Sequence, residues 1–257
     1  MIQNLLSKHA DEAAARYALL ADSWQANFTR AMNDLDFGTS SHTAAFINAA
    51  QDAGNIFIEQ ELAIGKMIFD EIATEAHQAT LNEISSNDAK VLTERVTEHL
   101  RASLEYVAMQ LLAQILRDVT LLRQKMQRVA LETFAASRSR GISQRAAMLE
   151  YRIGSSTEMD FSFYDRAGRK WHSRKFVRAI WRHTLLSAYN ETVMLTLADH
   201  GISRARVVHE NANADAHNTI ISFGANTMHA TYSEIAEAVF HPNSNAILAM
   251  ESDYVSS

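Results

Sequence analysis

The chain reads as a mainly α protein: a bundle or stalk of long helices, then a small α+β C-terminal domain. Three observations predict this. A single proline and eight glycines among 257 residues are punctuation too sparse for an all-β protein. Apolar residues recur at steps of three and four through most of the first 137 residues, the period of an amphipathic helix. Beyond residue 159 the pattern changes to short alternating runs separated by turn residues. The expected organisation is a helical part over 1–137, a basic connector over 138–158 and an α+β domain over 159–257.

A first helix is expected over about 3–36, with Leu5, Leu6, Ala13, Tyr17, Leu20, Trp24, Phe28 and Met32 on one face. Phe37-Gly38-Thr39-Ser40-Ser41-His42 breaks it, and Ser41 is placed to cap the next helix. That helix, about 43–84, runs through Ile47, Ile56, Ile58, Leu62, Ile64, Met67, Ile68 and Ile72. Gly54 and Gly65 inside it mark a bend or a close helix contact. After Ser85-Ser86-Asn87-Asp88 a third helix spans about 89–137. Its seam is Val91, Leu92, Val96, Leu100, Leu104, Val107, Leu111, Ile115, Val119, Leu122, Met126, Val129 and Phe134, about 66 Å at 1.5 Å per residue. Such a seam serves either an oligomer interface or packing inside one three-helix bundle. Two neighbouring helices in the same chain favour the second.

Ser137-Arg138-Ser139-Arg140-Gly141-Ile142-Ser143 is small, basic and helix-breaking, and a short helix follows at about 143–152. Met159 to Tyr164 alternates, and Asp165-Arg166-Ala167-Gly168 then turns the chain into Arg169-Lys170-Trp171. This is a hairpin signal, with Gly168 supplying positive φ. Ser173 can cap a helix reaching Asp199, with Gly201 ending it. Its expected core stripe is Phe176, Ile180, His183, Ser187, Asn190, Met194 and Leu197, flanked by Trp181, Leu185, Tyr189 and Val193. Strands are expected at 205–209, 219–223 and 246–250. Thr231-Tyr232-Ser233-Glu234 opens a helix to Phe240 through a capping box.

The net charge of −6 is segregated. Residues 1–122 hold 8 Lys/Arg against 17 Asp/Glu, residues 123–182 hold 14 against 5, and residues 183–257 hold 2 against 8. A basic belt between acidic arms suggests separate binding surfaces rather than general nucleic-acid affinity. Zero cysteines leave neither a disulfide framework nor a Cys-based zinc site, and fit synthesis in a reducing cytosol. No membrane span and no signal peptide are expected. Neither a Walker loop nor Gly-x-Gly-x-x-Gly appears.

Asp165-Arg166-Ala167-Gly168-Arg169-Lys170-Trp171 resembles the hairpin motif that opens the common part of tailed-phage minor capsid proteins, the head-morphogenesis group that includes Mu F-like proteins. His241-Pro242-Asn243-Ser244-Asn245 looks like their closing tract, and the helix between carries Arg182-His183-Thr184 and Asn190 where the group has an Arg-Thr and a later Asn. The resemblance covers roughly 160–250. Ser244 and Asn245 stand where the group shows thiolate or imidazole ligands, and Ala216 and Thr219 fall near its Cys pair when counted from Gly224. The resemblance implies a non-enzymatic, low-copy, multimeric virion component at the portal vertex of the head. Its partners would be portal, scaffold or major capsid protein, with packaged DNA also open. No cofactor is expected. Asp165, Gly168, Trp171, Thr184, Asn190, His241, Pro242 and Asn243 are the motif positions expected to be structural.

Two constellations could carry binding or chemistry. Arg174, Arg178 and Arg182 share one helix face at steps of four, and Arg166, Arg169, Lys170 and Lys175 extend it to a basic patch suited to carboxylate or phosphate. Trp171 and Trp181 beside it are read as core, with base stacking the alternative. His209, Asp215, His217 and His241 offer an alternative reading as an open divalent-metal site of a hydrolase or nuclease, with Glu210 as base. A further alternative is an internal, ejected DNA-binding protein using the basic belt.

Overall fold

A computed structural model describes residues 2–34, 36–86, 91–223, 228–241 and 243–251. It is mainly helical, with long helices packed together before a small region of short strands and helices. In chain order these are α1 (Ile2–Ala31), α2 (Ser40–Glu83), α3 (Glu94–Arg140), α4 (Gln144–Gly154), β1 (Ser162–Tyr164), β2 (Lys170–His172), α5 (Ser173–Asp199), β3 (Arg204–His209), β4 (Ile220–Ser222), α6 (Tyr232–Val239) and β5 (Ala246–Met250). No helix among the described residues is long and apolar enough to cross a membrane.

Helix ends follow local chemistry. α2 starts earlier than expected, and Thr39 rather than Ser41 caps it, its hydroxyl accepting from His42 N at 3.3 Å. Its other end closes with Ser85 at φ 54, Ser85 N bonding Asn82 O and Ser86 N bonding Leu81 O. α5 ends in the same way with Gly201 at φ 76, as expected. α3 begins only at Glu94; Asn87 to Lys90, with which the expected break ends and the helix begins, lie outside the described residues.

The compact units do not follow chain order, unlike the expected segmentation. One gathers Met1–Ala13, Leu62–Ala108 and Arg178–Ser257; the other gathers Ala14–Glu61 and Met109–Val177. The expected connector contains α4.

In the second unit the seam of α3 packs on its own chain: Leu111, Ile115, Val119, Leu122, Met126 and Val129 are buried with Tyr17, Trp24, Phe28, Ile47 and Phe57. Trp24 Nε1 donates to Ala50 O at 3.1 Å, and Arg16 pairs with the buried Glu61. Phe134, expected on the seam, is 54% exposed, because the next inward position after Val129 is Thr133, whose hydroxyl bonds Val129 O. Ile56 is also exposed, and Phe57 takes the inward place instead.

In the first unit α5 is buried almost all round. Trp181 stacks on Phe69 at 6.1 Å, and Thr184 and Thr192 satisfy their hydroxyls on the carbonyls four residues back. His183, expected in the core stripe, faces solvent, while Trp181 and Leu185 occupy the interior. Met67 and Val91 are likewise exposed, Val91 lying before α3 begins. The sheet order is β4-β3-β5, antiparallel throughout, with Ala205 and Val207 of β3 facing inward together with Ala246, Leu248 and Met250 of β5. Two side chains dock β5: Asn190 Oδ1 accepts from Leu248 N, and Glu83 accepts from Met250 N.

Both helical glycines of α2 mark close contacts. A Cβ at Gly54 would stand 2.5 Å from Ile115, and one at Gly65 would stand 2.7 Å from Leu104 and 2.9 Å from the Trp181 ring. Alanine gains about 1 kcal/mol of helix propensity but overpacking costs about 1–3 kcal/mol. The fully buried ring at Gly65 has nowhere to swing. Gly65→Ala is therefore expected to lower stability by about 1 kcal/mol in urea melts; a stabilised variant would show that the contact is not limiting.

Candidate functional site

The candidate site is built around a carboxylate that the sequence reading passed over. Asp118 lies on the inner side of α3, fully buried, three residues after Ile115 and four before Leu122. Its Oδ2 accepts from Tyr17 Oη at 2.5 Å, and its Oδ1 accepts from Ser173 Oγ at 2.9 Å and Gln114 Nε2 at 3.0 Å. Gln114 also donates to Ser173 Oγ, and Arg117 donates to Gln114 Oε1 at 2.6 Å. A charged residue at a core-stripe position was the available signal. A carboxylate there is tolerable only when its lone pairs are filled. Burial nevertheless pushes the Asp118 carboxyl above the ordinary aspartate range, against its three donors. Burial, then the Asp118 charge, pushes the Tyr17 hydroxyl well up.

Ser173 therefore does not cap α5 as expected. Its hydroxyl is taken by Asp118 and Phe161 O, and its N–H also donates to Phe161 O at 2.9 Å. These bonds fix the point where the chain leaves β2 and enters α5. Phe163 and Trp171 are paired across β1 and β2, and both rings meet Phe176 edge-on at 5.1 and 6.2 Å. The Arg117 guanidinium covers the Phe163 ring at 3.9 Å.

Asp165 organises the turn. Its Oδ1 accepts from Ala167 N and Arg169 N, both at 2.9 Å, and its Oδ2 accepts from Arg169 Nε and Trp171 Nε1. The Arg169 N–H foremost holds the carboxyl down at about 2. Gly168 takes φ 74 with open space around it. The motif Asp165, Gly168 and Trp171 thus makes a self-contained hairpin.

The basic patch divides by environment. Arg166, Arg174 and Lys175 are exposed and have no ion pair among the described residues. Arg169 pairs with Asp165 and Lys170 with Asp160, both at the surface. The Lys170 hydrogen bond holds the Asp160 carboxyl below its usual range. Beside these residues a groove of about 760 Å³ is lined by Lys170, His172, Arg174 and Lys175 together with Asp22, Glu158 and Asp160. Arg178 is half-buried and pairs with Asp11. Arg182 is no part of a surface patch: it is 2% exposed, and it donates to Gln3 and to Ser244 O. Steps of four put these arginines on one helix face, but that face turns inward along α5.

The closing tract sits where Arg182 and Asn190 hold it. Ser244 O receives Arg182 at 3.1 Å, Ser244 Oγ accepts from Ala246 N, and Ser244 N bonds His241 O. His241 Nδ1 accepts from Asn243 N, and Asn245 donates to Glu210. Pro242, like Gly224, lies outside the described residues. Thr184 is buried on its own helix, and Trp181 is core. The histidines of the alternative metal reading are not gathered. His217 Nδ1 accepts from His209 N, His209 Nδ1 accepts from Asn211 N, and Asp215 and His241 are exposed. Among the described residues no three His, Asp or Glu side chains form a group able to hold an ion.

Comparison with protein-family models, curated proteins and solved structures returns no match.

Asp118 generates a pH signature. Its native carboxyl titrates above the unfolded value, so the native state keeps the proton longer. That contribution is fully present below the unfolded pKa of about 4 and is lost as pH rises through the native value. The stability of Asp118→Asn relative to wild type is therefore expected to improve as pH rises above the unfolded pKa of about 4, in urea melts run at each pH. A pH-independent difference would show that burial does not perturb this group.

Proposed function

We propose that this chain is a structural, non-enzymatic component of a tailed-phage virion, of the minor capsid or head-morphogenesis kind. It would sit at the portal vertex in few copies and meet a protein partner through the hairpin and the first turn of α5. One observation carries the reading. The residues that resemble the phage motifs are spent on shape, Asp165 on the hairpin turn, Arg182 on Ser244 O and Asn190 on Leu248 N. What the tract leaves free at the surface is charge: Arg166, Arg174 and Lys175. Guanidinium groups on a rigid hairpin and helix start suit carboxylates of a shaped acidic surface, on portal, scaffold or coat protein. The groove supports protein over duplex DNA, because Asp22, Glu158 and Asp160 line it together with the cations and would repel a phosphate backbone.

Quantitative mass spectrometry of purified heads is expected to find the chain far below major-capsid abundance and co-purifying with portal protein. The triple variant Arg166→Glu, Arg174→Glu, Lys175→Glu should lose that association with unchanged thermal stability, since none of the three is buried or paired. Abundance equal to coat, or absence from heads and procapsids, would sink the assignment. Salt-sensitive DNA binding abolished by the same variant, with portal association intact, would move the face to packaged DNA.

A further inference from the structure

The groove beside the hairpin has an apolar lining as well as a charged one, and all of its lining residues belong to the second unit. Ala18 and Ala21, one turn apart on α1, are half-buried, and so are Met159 and Phe161 in the segment that leads into β1. Two methyl groups on a helix leave the groove open where larger side chains would fill it. Its volume of about 760 Å³ lies within the roughly 300–1,000 Å³ of sites that bury a ligand.

The charges indicate what the groove takes. Lys170 and Asp160 are engaged with each other. Arg174 and Lys175, at the start of α5, are exposed and have no ion pair among the described residues. The same holds for Asp22 on α1 and Glu158 before β1. The available charge is therefore of both signs, the cations from one element and the carboxylates from two others. A ligand of one sign gains from one pair and is repelled by the other. A phosphate backbone carries only negative charge, and a purely acidic surface meets Asp22 and Glu158 unfavourably. A polypeptide segment can present both signs and an apolar side chain together. We propose that the groove takes such a mixed-charge segment of the protein partner. Its apolar side chain seats on Ala18, Ala21 and Phe161, where water is most readily excluded. Its carboxylates face Arg174 and Lys175, and a lysine or arginine faces Asp22 or Glu158. The proposal rests on the function proposed above and narrows the partner's acidic surface to a segment bearing both signs.

Binding of purified portal protein to the full chain, measured at two salt concentrations, tests this. The double variant Asp22→Lys, Glu158→Lys should bind roughly tenfold more weakly at low salt, with a smaller loss at high salt. Its melting should stay unchanged, because both residues are exposed and without an ion pair among the described residues. A purely acidic partner would instead bind that variant more tightly. The chain has no cysteine, so Ala21→Cys offers a single attachment point inside the groove. The unmodified variant should bind as wild type does. The same protein blocked with N-ethylmaleimide should bind roughly tenfold more weakly or worse, the effect of displacing one buried apolar side chain. Unchanged or tighter binding by the lysine variant, or unchanged binding by the blocked cysteine, would overturn the proposal. If the Arg166, Arg174 and Lys175 variant then still loses portal protein, the function proposed above stands without it. A wild-type chain that does not bind portal protein removes both.

Discussion

The buried carboxylate of Asp118 is the constraint around which the second unit is arranged. Its two oxygens take donors from three places far apart in the chain: Tyr17 on α1, Gln114 on α3 and Ser173 at the start of α5. A charge removed from water must have its lone pairs filled, and each partner lost leaves a buried group unpaired. The geometry is therefore shared: helix register on α1 and α3 and the exit from the hairpin must agree for the network to close. Phe161 O, accepting from both N–H and hydroxyl of Ser173, ties the same point to the strand side. Arg174 and Lys175 directly follow Ser173, so the network fixes the backbone from which they project.

The motif tract divides its residues between shape and surface. Asp165 collects two backbone and two side-chain donors, enough to define the turn without help from the rest of the chain. Arg182 and Asn190 each send one polar group to the closing tract and its strand. In the closing tract Ser244 Oγ accepts from Ala246 N and Asn245 donates to Glu210. Hydrogen bonds, two of them to or from a charged side chain, hold the tract. The desolvated Arg182 guanidinium, whose pKa burial lowers, is the costlier part of that arrangement.

Charge segregation takes on a physical meaning once burial is known. Of the cations from 166 to 182, one is core, one is half-buried against Asp11, two pair with Asp160 and Asp165, and three have no ion pair among the described residues. A basic belt in sequence is thus a mixture of structural and available charge. Only the available part can recognise a partner, and it lies on the turn of the β-hairpin and the first turn of α5.

The sequence by itself determined the helices, the hairpin, the strands and most of their ends. These depend on local chemistry: apolar steps of three and four, glycine at positive φ in Gly168 and Gly201, and the Thr231–Glu234 capping box, all present. It also marked the close contacts at Gly54 and Gly65. Tertiary structure decided what periodicity cannot. Which face of α5 turns inward removed Arg182 from the surface and exposed His183. The pairing of β3 with both β4 and β5 is non-local and has no signature in any one segment. Asp118 carries no local signature of its role because its partners Tyr17 and Ser173 lie 101 and 55 residues away. Periodicity reports which residues share a face; only packing decides what that face meets, because burial is a property of the whole chain.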